Sequence, residues 1–274
     1  MKRICKVIKF ARSTYYKYLC PRPSARKTNK EKLRETIKNV FEENKKRYGA
    51  PKIQRVLASH GIHASLKRVQ RHMAVLGLRS IVVKKYRHYS SKCLIEEHDN
   101  LLNRDFKTTV INKKWCTDIT YIHTVNDGWT YLASVMDLAS KKIIGYAYAK
   151  RMTAELAVKA VANACLNVKD TTGIILHSDL GTQYTSQIFE DELVRRNIIH
   201  SYSRKGNPYD NACIESFHSI LKKEEINHNR YYDFKIAGKA IFEYIESWYN
   251  RKRIHSSINY MTPQEYEDAA KAAA

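Results

Sequence analysis

KWCTDITYIHT (114–124) reads as a β-strand, because β-branched and aromatic residues alternate with polar ones at period two. Two similar runs follow across short turns, WTYLASVMDLA (129–139) and KIIGYAYAK (142–150). Three strands joined this tightly predict an antiparallel meander. The period then lengthens. Thr153 to Leu166 carries apolar residues at helical spacing, with Thr153 as the cap. GIILHSD (173–179) is a continuous apolar run closed by an acid, the pattern of a central, buried strand. A helix over Ser186–Arg196 and a strand IIHSYS (198–203) complete the series. The order predicts an α/β fold: an RNase H-like mixed five-stranded sheet with flanking helices.

Two acids occupy informative places in that series. Asp118 lies in the middle of the first strand. Asp179 lies at the carboxyl end of the fourth, the edge where α/β sheets put their active sites. If strands one and four are neighbours, both acids emerge on the same side. A lone buried aspartate is too costly unless it is paired or holds a metal. Asp137, in an alternating strand, is read instead as an exposed or turn-capping acid.

Downstream, DNACIESFHSILKKEEI (210–226) predicts a helix. Pro208 stops any helix before it, and Asp210 or Asn211 is the expected N-cap. Ile214, Phe217 and Leu221 form an apolar stripe, and Asn211, Glu215, His218 and Lys222 form a polar one beside it. Standing alone, the polar stripe reads as the solvated face of an amphipathic helix. Beside the two aspartates, Glu215 becomes a third carboxylate. Such a set suits Mg²⁺ or Mn²⁺, hard cations that take oxygen ligands. Two such ions about 4 Å apart stabilise the attacking and leaving oxygens of an in-line phosphoryl displacement. Asp118 would bridge both ions, Asp179 would complete one site and Glu215 the other.

Charge says what the substrate is. The net formal charge is +22, and it is lopsided: residues 1–112 hold 28 Lys and Arg against 8 Asp and Glu, while residues 113–274 hold 21 against 19. The first segment reads as a nucleic-acid-binding arm and the second as an ordinary globular domain. Within the arm, residues 31–44 read as a helix with Leu33, Ile37, Val40 and Phe41 inward. A second runs Pro51–Ser59 with Ile53, Val56 and Leu57 inward, and His60-Gly61 makes the turn. A third runs from Ser65, its N-cap, to Leu76, closed by Gly77. Leu66, Val69, Met73 and Leu76 face inward there, leaving Lys67, Arg68, Gln70 and Arg71 outward. This is the pattern of a helix-turn-helix. A small helical bundle with a charged face is the other reading, and the basic balance favours DNA. Lys84, Lys85 and Arg87 lie in a basic stretch, either an extended connector that tracks phosphates or a disordered linker. Residues 1–30 are basic too and read as a short helix followed by a linker, with Tyr15, Tyr16 and Tyr18 as packing residues.

Other classes find little support. Six cysteines are scattered with no C-x-x-C spacing, and His60 and His63 have no cysteine pair beside them, so neither a disulfide framework nor a structural zinc is expected. No apolar run of membrane-spanning length exists. Lys2, Arg3, Lys6 and Lys9 interrupt the one candidate secretory signal. A reduced, cytoplasmic protein of bacterial type, associated with the nucleoid, is expected. The organisation is read as a basic segment (1–30), a helix-turn-helix domain (31–79), a basic linker (80–107), an RNase H-like catalytic core (108–226) and a helical extension (227–274).

Four words make a resemblance specific: WCTDITYI, HSDLGTQYTS, SRKGNPYDNACIESFHSILKKE and YNRKRIHSSINYMTPQEY, with Asp179 and Glu215 36 positions apart. Together they resemble the DDE transposases of insertion sequence family three, whose core is similar to that of retroviral integrases. The resemblance runs from about Tyr48 to Tyr266 and takes in RYGAPKIQRVL and KRVQRHMAVLGL of the helix-turn-helix. It implies that Asp118, Asp179 and Glu215 are catalytic and metal-holding. It implies that the loop Ser203–Asn211 lies over the site with Arg204 and Lys205 near DNA, and that Lys222 approaches the scissile phosphate. The segment after the carboxy-terminal helix (Lys235–Tyr249) would add Arg251 and Arg253 to the DNA contacts, while Ile241, Ile245 and Trp248 pack. It further implies metal-dependent cleavage and strand transfer at element ends, a homo-oligomer on DNA, and an upstream-frame fusion partner adding a further helix-turn-helix and a coiled coil. A nuclease of RNase H type without strand transfer, or a non-catalytic DNA-binding regulator, are the alternatives. A tyrosine recombinase would need Arg and His residues around one tyrosine, and no such constellation can be assembled.

Overall fold

The computed structural model describes residues 2–8, 11–19, 25–82, 100–102, 105–106, 108–204 and 208–273. They divide into two compact units, Met1–Ile81 and Val82–Ala274.

The first unit is helical: α1 (Lys2–Val7), α2 (Arg12–Leu19), α3 (Ala25–Glu43), α4 (Ala50–Ser59) and α5 (Leu66–Val75). The amino-terminal stretch thus forms two helices rather than one. No residue of α2 is buried, so Tyr16 and Tyr18 are exposed instead of packed. The core of the unit is apolar spacing made solid. Leu33, Ile37, Val40 and Phe41 of α3 meet Ile53 and Leu57 of α4 and Val69 and Met73 of α5, all buried. Leu66 departs from expectation. It is the first residue of α5, ahead of the inward-facing turn, and stays 36% exposed, while His72 lies inside. Ser65 caps α5 by accepting the Arg68 amide at 3.3 Å. Gly77, at φ +66°, lets the chain reverse so that the Leu78 amide donates to the Met73 carbonyl at 2.9 Å.

The second unit is built on a five-stranded sheet: β1 (Lys114–Thr124), β2 (Gly128–Asp137), β3 (Ile143–Ala149), β4 (Ile175–Ser178) and β5 (Ile199–Tyr202). The order across the sheet is β3-β2-β1-β4-β5. The first three strands pair antiparallel, while β1, β4 and β5 pair parallel. This is the predicted mixed, RNase H-like sheet. Connecting β3 to β4 is α6 (Ala154–Cys165), and connecting β4 to β5 is α7 (Gln187–Arg195). Odd-numbered residues of β1 and β2, Trp115, Ala133 and Val135, face these helices and pack on Leu156, Ala160, Ala164, Phe189 and Leu193. Contact with α6 is so close at Gly145 of β3 that a Cβ there would stand 2.3 Å from the Ala164 nitrogen.

The other sheet face carries α8 (Ala212–Glu224), which packs on β1 and β2 through buried Ile214, Phe217 and Leu221. Beyond it come α9 (Phe234–Phe242), which continues as a π-helix over Glu243–Tyr249, and α10 (Pro263–Ala272). Ile241, Ile245 and Trp248 are buried, as their spacing predicts. Among the described residues, no helix is long and apolar enough to cross a membrane.

Three further expectations change. Asp137 is not exposed: it is 1% accessible and caps a turn, accepting from the amides of Asn112 and Ser140 and from the Ser140 hydroxyl. Neither Asp210 nor Asn211 caps α8 with its side chain, because a 3₁₀ turn over Pro208–Asn211 leads in and both side chains are engaged elsewhere. The far end of the expected basic linker is also not free. Leu102 is buried and donates its amide to Ser201 Oγ at 3.0 Å, and Asp105 pairs with Lys114 at 2.8 Å.

Candidate active site and nucleic-acid interface

The sheet register brings the first two acids together. Cys116 of β1 pairs with His177 of β4 in parallel. Two residues further along each strand stand Asp118 and Asp179, so both leave the sheet at one edge and on one side. Asp179 ends β4 and turns onto its own loop, where its Oδ1 accepts the Gly181 amide at 3.0 Å. Glu215 comes from the first turn of α8 and stands at the solvent-exposed rim.

The three carboxyls feel one another. Burial pushes the Asp179 carboxyl above its usual range, and the Asp118 charge pushes it further. Partial burial raises Glu215 as well, followed by Asp118 and Asp179. Among the described residues, no three His, Cys, Asp or Glu side chains stand close enough together to hold a metal ion outright. The acids interact through space without forming a closed cage.

The polar stripe of α8 points into this site, not into water. Asn211, 4% exposed, donates its Nδ2 to the Thr117 carbonyl at 3.2 Å, which ties the start of the helix to the strand beside Asp118. His218 is 5% exposed and reaches Asp118. Lys222 is half-buried with its Nζ 4.0 Å from the centre of the Tyr121 ring. Burial lowers its pKa, and the Asp118 charge acts the other way. Sequence spacing had put His218 on the stripe without giving it a partner. The partner, one strand away, has no signature in the order of residues.

The expected DNA contacts divide into three groups. Lys67, Arg68, Gln70 and Arg71 stand exposed on α5. Arg251 is exposed, and Arg204 is half-exposed with its backbone amide and Nε both donating to the buried Asp210 carboxylate. Asp210 also accepts from Asn100. Arg253 is not available for DNA. It is 8% exposed, and its guanidinium is held by Glu224, itself buried at the end of α8 and accepting also from Tyr244 and Trp248 at 3.0 Å each. Four donors around one carboxylate make this a structural knot. Lys84, Lys85, Arg87 and Lys205 lie outside the described residues.

The helical unit also offers cations that spacing alone did not reveal. Lys27, Lys30 and Arg34 of α3 line one groove with Arg68, Arg71 and His72 of α5. Arg34 donates its Nε to His72 Nδ1 at 3.3 Å. Burial first, then Arg34, Arg68, Lys30 and Arg71, lowers the pKa of that imidazole.

Two integrase core domain models match the second unit, over residues 109–208 and 196–263, and an HTH-like domain model matches residues 28–86. The transposase for insertion sequence element IS904 of Lactococcus lactis subsp. lactis (strain IL1403) is 42% identical over 90% of this chain and 97% of its own length. The transposase InsF for insertion sequence IS3A of Escherichia coli (strain K12) is 36% identical over 98% of this chain and 94% of its own. The chain belongs to the IS3-family transposases. An IS3-family transposase with these two domains is a polynucleotidyl transferase that acts on DNA. Among solved structures, the simian T-cell lymphotropic virus intasome in complex with PP2A regulatory subunit B56 gamma aligns with a TM-score of 0.49 at 18% identity, over 78% of this transposase and 69% of that chain. The HTLV-2 integrase catalytic core domain in complex with magnesium (trimeric form) aligns at 0.45 and 17% identity, over 58% and 99%.

Proposed function

We propose that Asp118, Asp179 and Glu215 are the catalytic acids of this transposase. They would cleave the phosphodiester at insertion sequence ends and join the freed 3′-hydroxyl to target DNA. The observation that carries the reading is the convergence of three carboxyls from β1, the end of β4 and the first turn of α8, close enough to raise the pKa of Asp179 and Glu215. Acids that resist ionising near one another are the donor set a hard divalent cation suits. Magnesium or manganese, two ions on this reading, would be held by these three residues and would supply Lewis-acid stabilisation of the in-line displacement. The chain's own contribution is positioning. Asn211 pins the backbone beside Asp118, and Lys222 brings a positive charge to the same rim for the scissile phosphate.

DNA arrives by its phosphates. Lys67, Arg68, Gln70 and Arg71 of α5 read the element ends, and Lys27, Lys30 and Arg34 extend the same basic groove along the backbone. Arg204 and Arg251 on the core, and Lys84, Lys85, Arg87 and Lys205, add further phosphate contacts. Bringing two ends together calls for at least two copies on DNA, joined by an upstream-frame partner in the fused form. The protein works in the bacterial cytoplasm, at the nucleoid.

End-labelled element DNA incubated with Mg²⁺ or Mn²⁺ tests the assignment. The unchanged protein should nick at the element boundary and join the labelled 3′ end to target. Glu215→Gln should lose cleavage by a factor on the order of a thousand or more while binding DNA near normally. Lost binding in that variant counts against Glu215 as a catalytic acid. Nicks without joining would make the protein a nuclease.

A further inference from the structure

His218 lies one helical turn beyond Glu215, and its ring spans two strands. Nδ1 stands 3.2 Å from Asp118 Oδ2, and Nε2 stands 3.3 Å from Ser134 Oγ. Asp118 and Ser134 are direct partners across the β1–β2 ladder. A single imidazole on α8 therefore rests on a cross-strand pair. The other Asp118 oxygen, Oδ1, accepts the Ile119 amide at 2.8 Å. Without the ring, that carboxylate is held at one oxygen and free to swing about the bond that carries it. With the ring, both oxygens have a fixed direction. The tautomer that satisfies both contacts carries its proton on Nδ1, donates it to Asp118, and accepts the Ser134 hydroxyl proton at Nε2.

We infer that His218 is a positioning residue for Asp118, orienting the carboxylate toward the metal it shares with Asp179 and Glu215. The inference rests on the reading of Asp118 as a metal-holding acid. The competing role is packing alone, since the ring is buried beside Phe217, 5.4 Å away between centroids. The two roles make different demands. Packing needs volume, whereas positioning needs a donor where Nδ1 now lies. Groups that orient a metal ligand typically change metal affinity ten- to a hundredfold when lost.

The geometry of three substitutions separates the roles. His218→Asn keeps an N–H donor near the place of Nδ1, His218→Gln carries its amide past Asp118 toward Ser134, and His218→Ala removes both contacts. Two readouts are taken on the full chain. One is the Mg²⁺ or Mn²⁺ concentration giving half the maximal rise in melting temperature of the DNA-free protein. The other is the concentration giving half-maximal nicking of end-labelled DNA. His218→Ala and His218→Gln are expected to raise both by about tenfold or more, with His218→Asn within about threefold of the unchanged protein. The melting temperature without metal controls for folding. If His218→Ala does not fold, the contrast between Asn and Gln still decides. Equal impairment of Asn and Gln, or no change in metal requirement in any variant, overturns the inference. Asp118→Asn is the control for the reading beneath it. If that variant keeps the metal response, Asp118 is not a metal ligand and both fall. If it loses the response while the His218 variants keep theirs, only the role of His218 falls.

Discussion

Arg253 and Glu224 have left water together, and a buried pair of this kind punishes the loss of either member more than it rewards the presence of both. Arg253→Ala leaves Glu224 charged and enclosed with Tyr244 and Trp248, at an expected cost of about 3–5 kcal/mol. That would appear as a lower denaturation midpoint. The salt dependence of DNA binding should stay as it was, since no phosphate contact is lost. A slope reduced as in Arg251→Ala would return Arg253 to the DNA-contacting set. Two positions separate these arginines, and no sequence pattern distinguishes them. Spacing assigns a face within an element, but burial depends on what another element lays over it. The same limit applies to Asp137, whose turn-capping role could be anticipated but whose enclosure could not. Asp118 and Asp179 were easier to read, because their meaning comes from places within strands that the alternation of residues already fixes.

Among elements, α6 is seated on β3 with nothing between them at Gly145. Gly145→Ala would set a Cβ against backbone atoms of Ala160 and Ala164, at 2.5 and 2.3 Å. Backbone cannot step aside as a side chain does, so the sheet and helix must separate. The expected cost is about 2–3 kcal/mol, a fall of several degrees in melting temperature. An unchanged midpoint would mean that α6 can shift freely. In the helical unit, α3 and α5 make a different prediction. His72 is held below its usual pKa by burial and by four cations. A DNA phosphate in the groove cancels that repulsion, so the bound state takes up a proton more readily than the free one. Affinity should therefore tighten as pH falls from 8 toward 6 and weaken as it rises. Titrations of element-end DNA at several pH values would read this, and His72→Gln should flatten the dependence. A dependence that persists in the variant places the proton elsewhere. The helices themselves were legible from Ser65, Gly77 and the inward apolar positions. The groove between them was not, because it is made by residues nearly forty positions apart.

For the whole molecule, the lopsided charge is the simplest forecast. Residues 1–112 carry most of the net +22. Neutralising six or more phosphates should make affinity fall on the order of a thousandfold between about 50 and about 200 mM salt. A flat response, measured by fluorescence anisotropy on labelled ends, would remove the basic arm from DNA binding. Strand order was legible as a whole because the change from period two to helical spacing falls at the same points as the turns. The π-helix over Glu243–Tyr249 was not legible, since apolar residues at such positions satisfy a regular helix equally well. It has a consequence for chain length. Removing one residue from this stretch would let it relax to ordinary α-helical winding, turning everything beyond the deletion by about 100°. Trp248 would then rotate away from Glu224, and the knot that ties down α8 would lose a strand. This stretch should therefore tolerate changes of side chain better than any insertion or deletion, and a scan of single-residue deletions should find there a block of inactive variants flanked by tolerant loops.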